Sequence, residues 1–393
     1  MADEATNAEL LGVLEEDPEN EETLLVYADW LQARGEPRGE LIVLQHRREQ
    51  CPDDPALAMA EAALLREHRA ALVGGMDRFP EAMQLEWRLG FIRAARIMRP
   101  EPEPPAAPPP YPPEPPPAFE LLRALLRHPA ASLLGQLEVG SFDDLDLQTA
   151  VSVLVEVGPR RTLCRLTLAD LGEPDPWEPT TLGDLRELWP LYPRLRHLYL
   201  RAGQLELGPI HLPELRSLEL HTSELTRSSA RSLARASWPE LERLGLHLDD
   251  CQATLEDLSP ILGDGTPQLH ELTLTRCGFA DAFFQALVAS PLAARLSWLD
   301  LSGGSFSDGA AALLLARRDR FPRLRDLFLL GSLVSEGMAG EVCRVFPDAM
   351  IGDGDIGEEP VYARGQQPGM DDDMAVGKRF ITDLESQDGD PDR

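Results

Sequence analysis

One short pattern of leucines returns along the chain and constrains its fold more than any other feature. The pattern is leucine, two residues, leucine, one residue, leucine, and successive copies begin 20 to 32 residues apart. A period in this range predicts a solenoid, in which stacked repeats bury one continuous core. Clear copies begin at Leu163, Leu195, Leu215, Leu241, Leu269, Leu296 and Leu324, and a weaker copy begins at Leu134.

The segments between copies predict helices and tight connections. Asp281, Asp308 and Ser335 each precede a helical run, and we predict that their side chains cap it by accepting from early amides. The step from Leu195 to Leu215 is only 20 residues, too short for a helix of ordinary length. We therefore expect an extended or 3₁₀ connection in that repeat.

Several copies continue into a longer consensus, with a small residue and then an apolar one, as at Cys277 and Phe279. With this extension the repeats resemble the leucine-rich-repeat family, and a period near 28 with a helix per repeat resembles its ribonuclease-inhibitor subtype. The resemblance implies an α/β solenoid over about residues 118–350. Its parallel strands would form the concave face and its helices the convex face.

Side chains alternate across a strand, so the residues between the motif leucines are predicted to face the concave side. Aromatic residues stand at both ends of this predicted face, beside charged ones, which is typical of protein-binding hot spots. We expect a protein partner there, with the convex helices or the N-terminal region as the alternative surface. The residues assigned to partner binding are His197, Tyr199, Arg201, Glu219, His221, Arg243, His247, Glu271, Trp298, Asp300, Asp326 and Phe328.

Residues 1–99 predict a small, mainly helical domain ahead of the repeats. Gly35 is well placed to end a helix, since glycine accepts the left-handed conformation found there. Apolar residues at helical spacing predict helices over about residues 7–17, 19–34, 39–48 and 55–73.

The run LLVYADWLQARGEPRGELIVLQ, residues 24–45, closely resembles the bacterial repeat-companion domain, a module found ahead of leucine-rich repeats. Residues 87–97 resemble the strand-like segment that closes this module. The resemblance implies an architecture and no established catalytic activity. Asp29, Arg38 and Glu40 are its notable polar residues, either as a docking site or as groups that fix the turn between helices.

Two segments of biased composition flank the repeats. Residues 100–117 are two-thirds proline and predict a stiff polyproline II linker, although Arg99, Pro102 and Pro105 also match the spacing of an SH3-type ligand. Residues 351–393 predict an acidic, largely disordered tail, with a short edge strand at 378–384. The tail begins with a GxGxxG pattern, which we reject as a phosphate site because its acidic neighbours would repel a phosphate.

The formal net charge of −30 makes nucleic acid and anionic membranes poor partners. The sequence begins with acidic residues and no apolar signal segment, and no apolar run is long enough to span a membrane. The five cysteines show no CxxC spacing, so we expect reduced thiols, a cytoplasmic protein and no disulfide or zinc framework.

We predict no catalytic, cofactor or metal site. His221 and His247 converge near Glu219, but only two histidines do so, and no cysteine is tied to a histidine by a motif. The function expected is therefore a non-catalytic, monomeric scaffold for a protein partner. The alternative is an acidic inhibitor or regulatory adaptor that masks a basic protein.

Overall fold

A computed structural model describes residues 2–74, 76, 82–98, 118–140, 147–169, 180–248 and 251–352. These residues divide after Arg165 into two compact units. The predicted linker at 100–117, the predicted edge strand at 378–384 and nearly all of the acidic tail lie outside the described residues. The predicted domain boundaries stay a prediction.

The first unit opens with the helices that the sequence predicts. Asn20 begins the second helix by accepting from the Thr23 amide at 2.9 Å, and Gly35 follows its end with a φ of +73°. Pro37 is the first residue of the third helix, where its missing amide is not needed. The unit contains α1 (Ala2–Glu16), α2 (Glu21–Gln32), α3 (Pro37–Gln50), α4 (Pro55–Glu67), α5 (Arg69–Val73), β1 (Met83–Arg88), β2 (Phe91–Ile97), α6 (Ala118–Arg127), β3 (Gln136–Gly140) and α7 (Leu147–Val157).

β1 and β2 form an antiparallel hairpin, so the strand-like prediction at 87–97 is confirmed. Leu89 and Gly90 make its turn with φ values of +50° and +72°, as a two-residue hairpin turn requires. The Gly90 amide donates to Gln45 Oε1 at 2.7 Å and so ties the turn to α3. β2 then pairs in parallel with β3, the strand of the weak first repeat.

The helices and the hairpin share one apolar core. The rings of Tyr27 and Phe91 stack with centroids 5.7 Å apart, which joins α2 to β2. The buried cluster consists of Leu14, Leu24, Tyr27, Ala28, Leu31, Ile42, Leu89, Phe91 and Leu133.

The second unit is built around a sheet with one strand for each leucine motif from Leu163 onward and one further strand, β13. Its strand order is β4-β6-β8-β9-β10-β11-β12-β13, and β5 pairs with β7 in a separate small sheet. The pairs from β6 onward are parallel. The elements are β4 (Arg165–Ala169), β5 (Thr181–Asp184), β6 (His197–Arg201), β7 (Gln204–Glu206), β8 (Ser217–Thr222), α8 (Arg227–Arg235), β9 (Arg243–Leu248), α9 (Leu255–Leu258), β10 (Glu271–Thr275), α10 (Ala280–Ala289), β11 (Trp298–Asp300), α11 (Asp308–Ala316), β12 (Asp326–Leu330), α12 (Glu336–Val345) and β13 (Met350–Gly352).

The short step between Leu195 and Leu215 is extended, as predicted. The short strand β7 lies in this step, and no helix is present between β6 and β8. The motif leucines of these strands are buried, for example Leu198 and Leu200 on β6. Their burial sends the intervening side chains to the other side of the sheet.

The structure corrects two of the three predicted helix caps. Ser335 caps α12 as predicted, by accepting from the Met338 amide. Asp308 is instead the first residue of α11, whose cap is Ser307. Asp281 lies inside α10, which Phe279 precedes without a side-chain cap. Both aspartates face the cap serine of the following repeat, a contact that local sequence does not reveal.

Candidate functional site

The side chains between the motif leucines lie in register along the sheet, and we call the surface they form the strand face. The first row contains His197, Ser217, Arg243, Glu271, Trp298 and Asp326. The second row contains Tyr199, Glu219, Gly245, Thr273, Asp300 and Phe328. The third row contains Arg201, His221, His247 and Thr275. The prediction that these residues share one face of the sheet is confirmed at these positions.

Two of the predicted partner-binding residues contribute little surface. Glu219 is 4 % exposed and Asp300 is 5 % exposed. The Asp300 carboxylate accepts from the Ser302 amide at 2.9 Å, and burial raises the pKa of Asp300 above its usual value. The other ten predicted residues are partly exposed.

An aromatic pair lies at the β11–β12 end of the strand face. The rings of Trp298 and Phe328 have centroids 4.4 Å apart and planes tilted by 33°. Both side chains are partly exposed, and Asp326 lies in register beside Trp298. The pair therefore presents apolar ring surface next to a carboxylate.

Ion pairing within the face uses some of its charge. Arg243 Nε lies 3.1 Å from Glu271 Oε2 on the adjacent strand, and both side chains are partly buried. These two residues therefore form an ion pair across β9 and β10. His197 and Arg201 on β6 remain partly exposed.

A second ring group lies on β6, β8 and β9. Tyr199 and His221 have centroids 5.2 Å apart, and His221 stacks on His247 with centroids 3.8 Å apart and planes 12° apart. Glu219 lies under the two imidazoles, with its Oε1 atom 2.8 Å from His221 Nε2 and 3.4 Å from His247 Nε2. His247 Nδ1 lies 2.8 Å from the hydroxyl of Thr275 on β10.

The electrostatics of this group follow from burial and hydrogen bonding. Burial acts to raise the pKa of the Glu219 carboxyl, but hydrogen bonds from His221 and His247 outweigh it, so the pKa is lowered. Burial lowers the pKa of His221, and the hydrogen bond to Glu219 opposes that shift only in part. At neutral pH the group therefore combines a buried carboxylate with an uncharged His221.

Among the described residues, Glu219, His221 and His247 form a group whose ligand atoms could hold a metal ion, since these atoms all lie within 4.8 Å of one another. The prediction from the sequence that His221 and His247 lie close together is confirmed. It did not indicate how deeply Glu219 is buried, or that Thr275 contacts His247. Thr275 could have been found from its place in the third row.

The polar residues of the N-terminal helices differ in burial. Asp29 and Glu40 are exposed, whereas Arg38 is buried. Arg38 Nη2 donates to Tyr27 Oη at 2.7 Å, and Tyr27 in turn contacts Asn7 Oδ1 at 3.1 Å. This arrangement favours the structural interpretation of Arg38.

The cysteines offer no activated thiol among the groups with a shifted pKa. Burial raises the pKa of Cys277 to about 12, so this thiol stays protonated and acts as a small apolar side chain, as predicted. Cys51, Cys277 and Cys343 are free thiols. Within the described ranges, no helix is both long enough and apolar enough to cross a membrane.

Comparison with models of protein families finds no match, and comparison with curated proteins finds none. Among solved structures, a Bacteroides fragilis protein is similar at 21 % identity and a TM-score of 0.50, covering 61 % of this chain and 71 % of its own. An internalin of Listeria monocytogenes has 16 % identity and a TM-score of 0.32, and the match covers 56 % of this chain and 65 % of the internalin. A Leptospira interrogans leucine-rich-repeat protein has 14 % identity and a TM-score of 0.23, and the match covers 56 % of this chain and 72 % of that protein.

The Bacteroides likeness shows a shared fold and nothing of function. The assignment of the repeats rests on this chain itself, because each leucine motif forms a strand and the strands of the large sheet from β6 to β13 pair in parallel. The likeness of residues 24–45 to the repeat-companion domain stays a prediction. The chain has a leucine-rich-repeat fold.

Proposed function

We propose that the protein is a non-catalytic scaffold that binds a partner protein on its strand face. The observation that carries this proposal is the partly exposed pair of Trp298 and Phe328. Large aromatic side chains supply most of the binding energy in many interfaces, because they bury much apolar area with few rotatable bonds. The parallel sheet holds this pair on rigid strands, so little ordering is needed on binding.

A pull-down with the double variant Trp298→Ala/Phe328→Ala tests the proposal. Removal of both rings is expected to abolish recovery of the partner that wild type captures. The matched control is Gln285→Ala/Glu336→Ala, which alters exposed residues of α10 and α12. Equal recovery by wild type and both folded double variants would rule out this end of the strand face.

A second candidate, an inhibitor or adaptor that masks a basic protein, is favoured by the net charge of −30. Attraction between opposite charges is screened by salt, so this function predicts affinity that falls strongly between low and high ionic strength. An affinity that does not change with salt would rule out this electrostatic function and leave binding through the aromatic pair as the proposal.

We also propose that the protein is a monomer in the cytoplasm. The free thiols of Cys51, Cys277 and Cys343 support a reducing compartment. Light scattering of the purified chain tests the monomer, and a concentration-dependent rise in mass would contradict it.

A further inference from the structure

We propose that Glu219, His221 and His247 form a binding site for a divalent transition-metal ion such as Zn²⁺. The three side chains come from equivalent or neighbouring positions on β8 and β9. Two imidazoles and one carboxylate are ordinary ligands for this class of ion. The inference does not depend on partner binding.

The distances suit a single ion. Zinc bonds of about 2.0–2.2 Å in a tetrahedral site place neighbouring ligand atoms roughly 3.3 Å apart. Glu219 Oε1 lies 2.8 Å from His221 Nε2 and 3.4 Å from His247 Nε2. All ligand atoms of the group are within 4.8 Å of one another. The separations from the carboxylate oxygen are therefore close to those of a tetrahedral site, and the two imidazole planes, which are 12° apart, would turn so that both Nε2 lone pairs point at one ion.

The backbone places these side chains close together. His221 and His247 are paired in register on adjacent parallel strands, so their rings stack and extend the same way. Position 245 is glycine, and a Cβ there would lie 3.2 Å from Glu219 Cγ and 3.5 Å from His247 Nε2. The absence of a side chain at Gly245 leaves the room in which Glu219 meets both rings.

Thr275 supplies an outer contact of the kind that metal-bound histidines use. Its hydroxyl lies 2.8 Å from His247 Nδ1. When Nδ1 carries the proton and donates a hydrogen bond to Thr275, Nε2 is left with a free lone pair for the ion. The contact also fixes the rotation of the ring.

Charge favours a cation at this place. Glu219 is a buried carboxylate whose side chain contacts the two histidines. A buried anion is costly without a compensating positive charge, which a divalent ion provides. The histidine side chains are each 17 % exposed, so the ion would keep an open position on the strand face for water or another ligand.

Titration of the metal-free full-length protein with Zn²⁺ at pH 7, followed by calorimetry, tests the site. The informative variants are His221→Gln and His247→Gln, since glutamine can still donate to Glu219 but removes the imidazole ligand. The matched control is His270→Gln, whose ring lies near Glu271 and the Gln268 carbonyl. We expect one ion per wild-type chain, binding at least about tenfold weaker in either test variant, and no change in the control.

Cobalt provides a second readout, which separates this site from zinc bound by thiols. Co²⁺ held by nitrogen and oxygen lacks the thiolate charge-transfer band that cysteine ligands produce. Thr275→Val is expected to weaken binding by roughly tenfold through loss of the outer contact. The proposal is overturned if wild type binds no Zn²⁺, if His221→Gln and His247→Gln bind it as wild type does, or if the cobalt spectrum shows thiolate ligation.

Discussion

The carboxylate of Asp281 accepts two hydrogen bonds from Ser307, one from its amide at 2.8 Å and one from its hydroxyl at 2.6 Å. Asp281 is in the first turn of α10, and Ser307 caps α11, so the pair joins the starts of consecutive repeat helices. Asp308 and Ser335 repeat the contact at 2.7 and 2.8 Å. In a solenoid such contacts between neighbours contribute directly to the stability of the array.

Asp281→Ala should lower the free energy of unfolding by about 1–3 kcal/mol, because it leaves the partly buried Ser307 amide without its acceptor. Asp308→Ala should cost less, since its contacts with Ser335 are exposed. Urea denaturation measures both. Asp319→Ala, an exposed aspartate beside α11, is the control. An Asp281→Ala variant as stable as that control would contradict the role assigned to the contact.

The register of the strand face could be predicted from the sequence, because the motif leucines fix which side of each strand faces the core. The starts of α10 and α11 could not, since Ser307 and Asp308 are both good cap residues and the partner of Asp308 is 27 residues away. The burial of Glu219 depends on the two rings above it and on the room left by Gly245. Such contacts between repeats leave no periodic signal.

The pH dependence of stability should include a contribution from Asp300. Burial raises its pKa in the folded state above the unfolded value of about 3.9. The folded state therefore holds this proton more tightly, and the resulting stability is present below pH 3.9 or so and is lost as pH rises through the folded pKa. Asparagine at position 300 cannot ionise. The free energy of unfolding of Asp300→Asn, minus that of wild type, should therefore be larger at pH 7 than at pH 4. Denaturation at the two pH values measures this, and a difference that is the same at both would contradict it.

Thiol reactivity should separate the buried Cys277 from the exposed Cys51. Because burial raises the pKa of Cys277 to about 12 and encloses its sulfur, alkylation at pH 8 should not reach it in the folded protein. Cys51 should react rapidly, and Cys51→Ser should remove that fast reaction. All five thiols should react after denaturation. Loss of a fast-reacting thiol in Cys277→Ser would show that the site opens to solvent.

The central claim is that the strand face binds a partner, and site-specific photocrosslinking tests it most directly. A benzophenone amino acid replaces Phe328 on the strand face or, as the control, Gln285 on exposed α10. Binding on the strand face should give a specific crosslinked product from position 328, competed by excess wild-type protein, and none from position 285. A competed product from position 285 alone would place the binding surface on the helices instead.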